Sequence, residues 1–161
     1  RLSAEALGTL AQRLLELLVY LHARVPPVIH RDIKPRNICF RGDGAADPVL
    51  VDFDTVVDKP DLTGETIVVS AGYTAPEQLA GAASPAADLY ALGATLFFAA
   101  THLPPEEVRR DARGRLQLAA HLAHLPGALS RLIGALLEPL PGDRPAAAAA
   151  LRMLRAPPAP P

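Results

Sequence analysis

The sequence predicts a mainly α fold, a helical bundle around a buried central helix with one or two short β-hairpins at its edge. Three observations carry this expectation. Leu7, Leu10, Leu14, Leu17, Leu18 and Leu21 recur at three- and four-residue spacing, the apolar stripe of an amphipathic helix. Leu89 to Ala100 carries no charge on any face and reads as a helix buried all round. Ile38 to Phe40 and Val49 to Val51 are short apolar segments joined by the turn-rich Gly42 to Pro48, the pattern of a hairpin with a long loop.

The elements follow in order. Ser3 is an N-cap candidate for a first helix running to Ala23, and Pro26-Pro27 stop it. Val28 and Ile29 are expected as a short buried strand or an extended entry into a polar loop. Phe53 to Ala75 shows no period and reads as a long functional loop. Ser84-Pro85 open the central helix, with Asp88 near its positive end. Pro104 to Arg115 is charged and expected to be exposed, while Leu116–Leu125 and Ala128–Leu137 read as helices separated by Pro126-Gly127. After the turn Leu140 to Pro145, Ala146 to Arg155 is helical by propensity. This gives one domain over 1–155 and a Pro-rich tail or linker over 156–161.

Composition bounds the function. A chain of 161 residues, half of them hydrophobic, can bury one sizeable core. A formal net charge of −1 offers no basic field, which disfavours nucleic acid and anionic membrane surfaces as partners. Cys39 is the only cysteine, so no internal disulfide forms, and with no signal peptide a reducing, cytoplasmic setting is expected. The uncharged run Leu89 to Thr101 is too short to span a bilayer. The chain opens at Arg1 already in helical pattern, so its N-terminus is expected to be a cut.

The densest chemistry lies in Val28 to Asn37, Val-Ile-His-Arg-Asp-Ile-Lys-Pro-Arg-Asn. Imidazole, two kinds of cation, carboxylate and amide together are expensive to bury and poor for packing. Asp32, with Lys34 two residues on and Asn37 five residues on, suits the handling of a phosphate and its metal ion. The hairpin expected after Asn37 returns the chain to Asp52, so two oxygen-bearing side chains converge, as a hard cation such as Mg²⁺ requires.

These residues carry a resemblance. His30-Arg31-Asp32-Ile-Lys34-Pro-Arg-Asn37 resembles the H-R-D-x-K-x-x-N catalytic loop of eukaryotic-type protein kinases, and Asp52-Phe53-Asp54 resembles D-F-G. Ala75-Pro76-Glu77 matches A-P-E, Asp88 with Gly93 resembles the D-x-W-x-x-G helix, and Arg144 resembles the arginine that pairs with the A-P-E glutamate. Lys34 points to the serine/threonine branch, and Gly72 to Gln78 is similar to the bacterial enzymes. The matches run from near Arg1 to about Leu154 and imply the large C-terminal lobe of a kinase catalytic domain.

The resemblance implies roles. Asp32 would orient the substrate hydroxyl and take its proton, Lys34 would neutralise the transferring γ-phosphate of ATP, and Asn37 and Asp52 would hold Mg²⁺. Ile38, Cys39 and Phe40 would form an apolar floor for adenine, with Cys39 acting as a small buried hydrophobe. His30 and Phe53 would stack, Asp88 would hold the catalytic loop from below, and Glu77 would pair with Arg144. Arg31 would read a phosphate on Thr63, Thr66 or Ser70, and Ser70 has a second expected role in bonding Asp32 and Lys34. His22, His102, His121 and His124 are expected as surface or core histidines.

The chain also departs from the pattern. Asp54 stands where the glycine of D-F-G provides backbone freedom. No glycine-rich phosphate loop, strand lysine or partner glutamate is present, so the small N-terminal lobe is absent from this sequence. Two functions are therefore expected: a serine/threonine kinase acting on protein hydroxyls together with an N-lobe outside this chain, or a non-catalytic kinase-like binding or regulatory module.

Overall fold

The computed structural model describes residues 1–42, 47–53, 72–82 and 84–156. Asp54, Thr63, Thr66, Ser70 and the tail 157–161 lie outside the described residues. Helix α1, Ala4–His22, starts where Ser3 Oγ accepts the Ala6 N–H at 3.2 Å. Its leucine stripe buries Leu7, Leu10, Leu14, Leu18 and Leu21, with Leu15 and Ala11 added beside them. No strand forms at Val28 and Ile29, and Val28 is 40% exposed, so the expected short buried strand is not found there.

Strands β1 (Ile38–Phe40) and β2 (Pro48–Leu50) pair antiparallel with Ile38 opposite Leu50 and Phe40 opposite Pro48. The inward face of this hairpin, Ile38 and Leu50, is buried, whereas Cys39 and Phe40 are exposed. The expectation of a buried Cys39 is thus corrected: with a period of two, only alternate residues of so short a strand face the helices.

After the short helix α2 (Pro76–Leu79), α3 (Pro85–Thr101) forms the central pillar, buried along nearly its whole length. Ser84 precedes Pro85 but makes no side-chain cap bond. At the far end His102 adopts φ 60°, and its N–H bonds Phe98 O at 2.7 Å, a left-handed C-cap. Gly93 lets another helix approach: a Cβ there would lie 2.8 Å from Leu136 Cβ and 3.1 Å from Leu137 Cγ.

Helix α4 spans only Ala119–Leu122, shorter than the expected Leu116–Leu125. The cause is local: Leu116 bridges Arg110, and the Gln117 N–H bonds Arg109 O at 2.9 Å, which holds the preceding backbone extended. Helix α5 (Gly127–Leu136) packs on α3, and α6 (Ala147–Arg155) closes the bundle against α1 and α5. The buried leucines of these helices form one apolar core, and the polar loop 30–37 sits at its edge beside the hairpin.

Candidate active site

The site is built on Asp88, in the first turn of α3 and completely buried. Its Oδ1 accepts the Arg31 N–H at 2.8 Å and its Oδ2 accepts the His30 N–H at 2.9 Å. The same Oδ2 lies 2.9 Å from His22 Nε2. A carboxylate only accepts, so the imidazole proton sits on Nε2. A buried charge is tolerable where several donors replace its hydration, and here three do.

Arg31 is held in a left-handed backbone conformation, φ 70°. Such a conformation costs a non-glycine residue about 1–2 kcal/mol and persists only when its surroundings impose it. Asp88 grips its N–H, and Gln78 Nε2 donates to its carbonyl at 2.6 Å. Both sides of the residue are therefore fixed, and Asp32 follows directly.

Asp32 Oδ2 receives two donors, Lys34 Nζ at 2.7 Å and Asn37 Nδ2 at 2.9 Å. Asn37 Nδ2 also donates to Asp32 O at 2.9 Å. Both of its partners are acceptors, which settles the amide orientation and leaves Oδ1 as the acceptor end. Asn37 is 5% exposed, while the side chains of Lys34 and Asp32 keep 23% and 29% of their surface in solvent. The hairpin returns as expected: the Val51 N–H bonds Asn37 O at 3.0 Å, so Asp52 lies one residue from Asn37's backbone partner, with φ 62°. Among the described residues no cluster of three His, Cys, Asp or Glu side chains is poised for a metal. Mg²⁺ does not need one, since it commonly takes one or two protein oxygens and completes its shell with phosphate and water. The Asn37 amide oxygen and the Asp52 carboxylate fit that mode.

Phe53 packs against His30 with ring centroids 4.4 Å apart and planes inclined at 40°, a tilted contact rather than a parallel stack. His30 is fully buried, its Nδ1 accepts the Asp32 N–H at 3.4 Å, and Nε2 has no hydrogen-bond partner among the described residues. The ring serves packing.

Glu77 and Arg144 also meet. Arg144 Nη1 and Nη2 bind Glu77 Oε1 and Oε2 at 2.5 and 2.9 Å. The remaining donors go to the carbonyls of Glu138 (2.7 Å), Ala86 (2.9 Å) and Pro139 (2.9 Å), so all five N–H groups are used. Its guanidinium also lies 4.9 Å from the Tyr90 ring centroid. Burial pushes the Glu77 carboxyl up, but the hydrogen bonds and charge of Arg144 outweigh it, and the net shift is downward.

Sequence reasoning missed two members of this framework. His22, in the last turn of an amphipathic helix, reads as an ordinary surface or core histidine. Gln78 carries no signal beyond its place after Glu77, because a side chain bonding a carbonyl 47 residues away leaves no pattern.

Comparison with known proteins agrees with this geometry. A family model described as protein kinase domain matches residues 1–154. Serine/threonine-protein kinase D of Synechocystis sp. is 33% identical over 159 residues, covering 93% of this chain and 31% of that protein. The probable serine/threonine-protein kinase PkwA of Thermomonospora curvata is 35% identical over 157 residues, covering 92% of this chain and 20% of that protein. The chain thus spans about a third or less of these curated relatives. The PknI kinase domain of Mycobacterium tuberculosis superposes with TM-score 0.68 at 24% identity, over 96% of this chain and 55% of that one, a likeness of fold. The chain belongs to the protein kinase family, in the eukaryotic-like branch that bacterial serine/threonine kinases occupy.

Proposed function

We propose that the protein containing this chain transfers the γ-phosphate of ATP to serine or threonine hydroxyls of other proteins, and that residues 1–155 supply its large lobe. The observation that carries this reading is the shared Asp32 carboxylate, bridged by Lys34 at 2.7 Å and Asn37 at 2.9 Å on a loop that Asp88 anchors. Asp32 orients the acceptor hydroxyl and takes its proton, a role for which its partial exposure leaves room. Lys34, a compact cation on a flexible stem paired with Asp32 at 2.7 Å, would follow the transferring phosphoryl group. Asn37 and Asp52 would hold Mg²⁺, which when bound neutralises charge on the phosphate oxygens. Cys39, exposed on β1, would face adenine. The glycine-rich loop and strand lysine of the small lobe would come from chain outside these residues. Arg31 would read a phosphate on Thr63, Thr66 or Ser70, with Ser70 also serving to bond Asp32 and Lys34. A cytoplasmic setting suits an ATP-dependent reaction, and no helix among the described residues is long and apolar enough to cross a membrane.

One observation favours a second reading, a non-catalytic kinase-like module: Asp54 in place of the D-F-G glycine. Full-length protein incubated with γ-labelled ATP and a generic protein acceptor decides between them. The kinase reading expects label on serine or threonine, lost when Mg²⁺ is chelated. The absence of label under activating as well as resting conditions favours the module.

A further inference from the structure

We propose that Glu106 is a specificity residue that favours acceptor peptides bearing lysine or arginine beside the phosphorylated hydroxyl. The inference rests on the kinase reading above and names a substrate feature of the same site. Gly72-Tyr73-Thr74 lead directly into Ala75 to Gln78, and the Gln78 side chain ties that strip to Arg31, the residue before Asp32. We take the acceptor chain that reaches Asp32 to run alongside this strip.

Glu106 lies in the 3-10 turn Pro105–Glu107 that follows α3. A Cβ on Gly72 would overlap Glu106 Oε2 and lie 3.0 Å from Glu106 N. Only glycine, here with φ +79°, lets the carboxylate seat so closely against the strip. The neighbouring Tyr73 phenol is pushed up to about 12, first by its burial and second by the Glu106 charge, so that charge is felt along the strip. Glu106 itself is exposed and makes no salt bridge among the described residues. Nearby Arg110 is engaged with Tyr90 Oη at 3.3 Å and Gly114 O at 2.9 Å. A carboxylate with no salt-bridge partner among the described residues, set beside that path, is matched by an ammonium or guanidinium through a charge-assisted hydrogen bond.

The test uses the full-length protein and a serine peptide series in which lysine, alanine or glutamate occupies each flanking position in turn. At one or more positions lysine is expected to lower KM about two- to fivefold relative to alanine, the size of a solvent-exposed ion pair, with kcat little changed. Glu106→Gln should erase that preference and Glu106→Lys should invert it toward glutamate, while Glu107→Gln, at the adjacent exposed carboxylate, retains it. Thermal melts of each variant exclude misfolding as the cause. Transfer without lysine preference, or a preference unchanged in Glu106→Gln, overturns the inference alone. No transfer to any peptide overturns the kinase reading and the inference together.

Discussion

Asp88 Oδ1 accepts the backbone N–H of Arg31 at 2.8 Å across 57 residues of sequence. This bond, with its neighbour from His30 to Oδ2, makes the position of Asp32 a property of the central helix rather than of the loop. A loop so gripped can tolerate the positive φ of Arg31 and present a carboxylate in a fixed place.

Asp88→Asn tests that dependence. The amide nitrogen would face an N–H donor from His22, His30 or Arg31, leaving a buried pair of donors opposed. A loss of about 1–3 kcal/mol in urea denaturation is expected. Phosphotransfer should fall with it, even at temperatures where the variant remains folded.

The Glu77–Arg144 pair gives a pH prediction. The folded-state pKa of Glu77 is lowered, so its contribution to stability is fully present above the unfolded value and is lost as pH falls through the folded one. Stability should therefore decline below the ordinary glutamate value of about 4.3. Glu77→Gln should flatten the acid limb of the stability–pH curve. Arg144→Met, which removes the buried guanidinium and strands the partly buried Glu77 carboxylate and three carbonyls, should lower stability by about 3 kcal/mol at neutral pH.

Gly93→Ala probes the contact between α3 and α5. Alanine gains about 1 kcal/mol of helix propensity, but its methyl would press on Leu136 Cβ at 2.8 Å. Overpacking of this kind costs about 1–3 kcal/mol, so a net fall in melting temperature is expected. A rise would mean that α3 and α5 separate without penalty.

Much of this architecture was legible because it is periodic or local. The leucine stripe of α1, the chargeless run of α3 and the paired apolar segments of the hairpin each impose one solution on the backbone. The cluster Asp32, Lys34 and Asn37 was legible because its partners lie within five residues of one another. What stayed hidden depends on tertiary approach. His22 meets Asp88 66 residues away, and Gln78 meets a carbonyl, neither of which leaves a spacing. Cys39 is exposed against expectation because apolar character alone does not say which face of a short strand has something to pack against. The pairing of Glu77 with Arg144 rested on resemblance, since nothing in either local sequence calls for the other.

The central claim is that the loop bearing Asp32 performs phosphoryl transfer, and Asp32→Asn in the full-length protein tests it most directly. The substitution keeps shape and hydrogen-bonding size while removing the base. Transfer of γ-labelled phosphate from ATP to a serine or threonine substrate should fall about 10²–10⁴-fold, with the melting temperature little changed. Undiminished transfer by the folded variant would contradict the account.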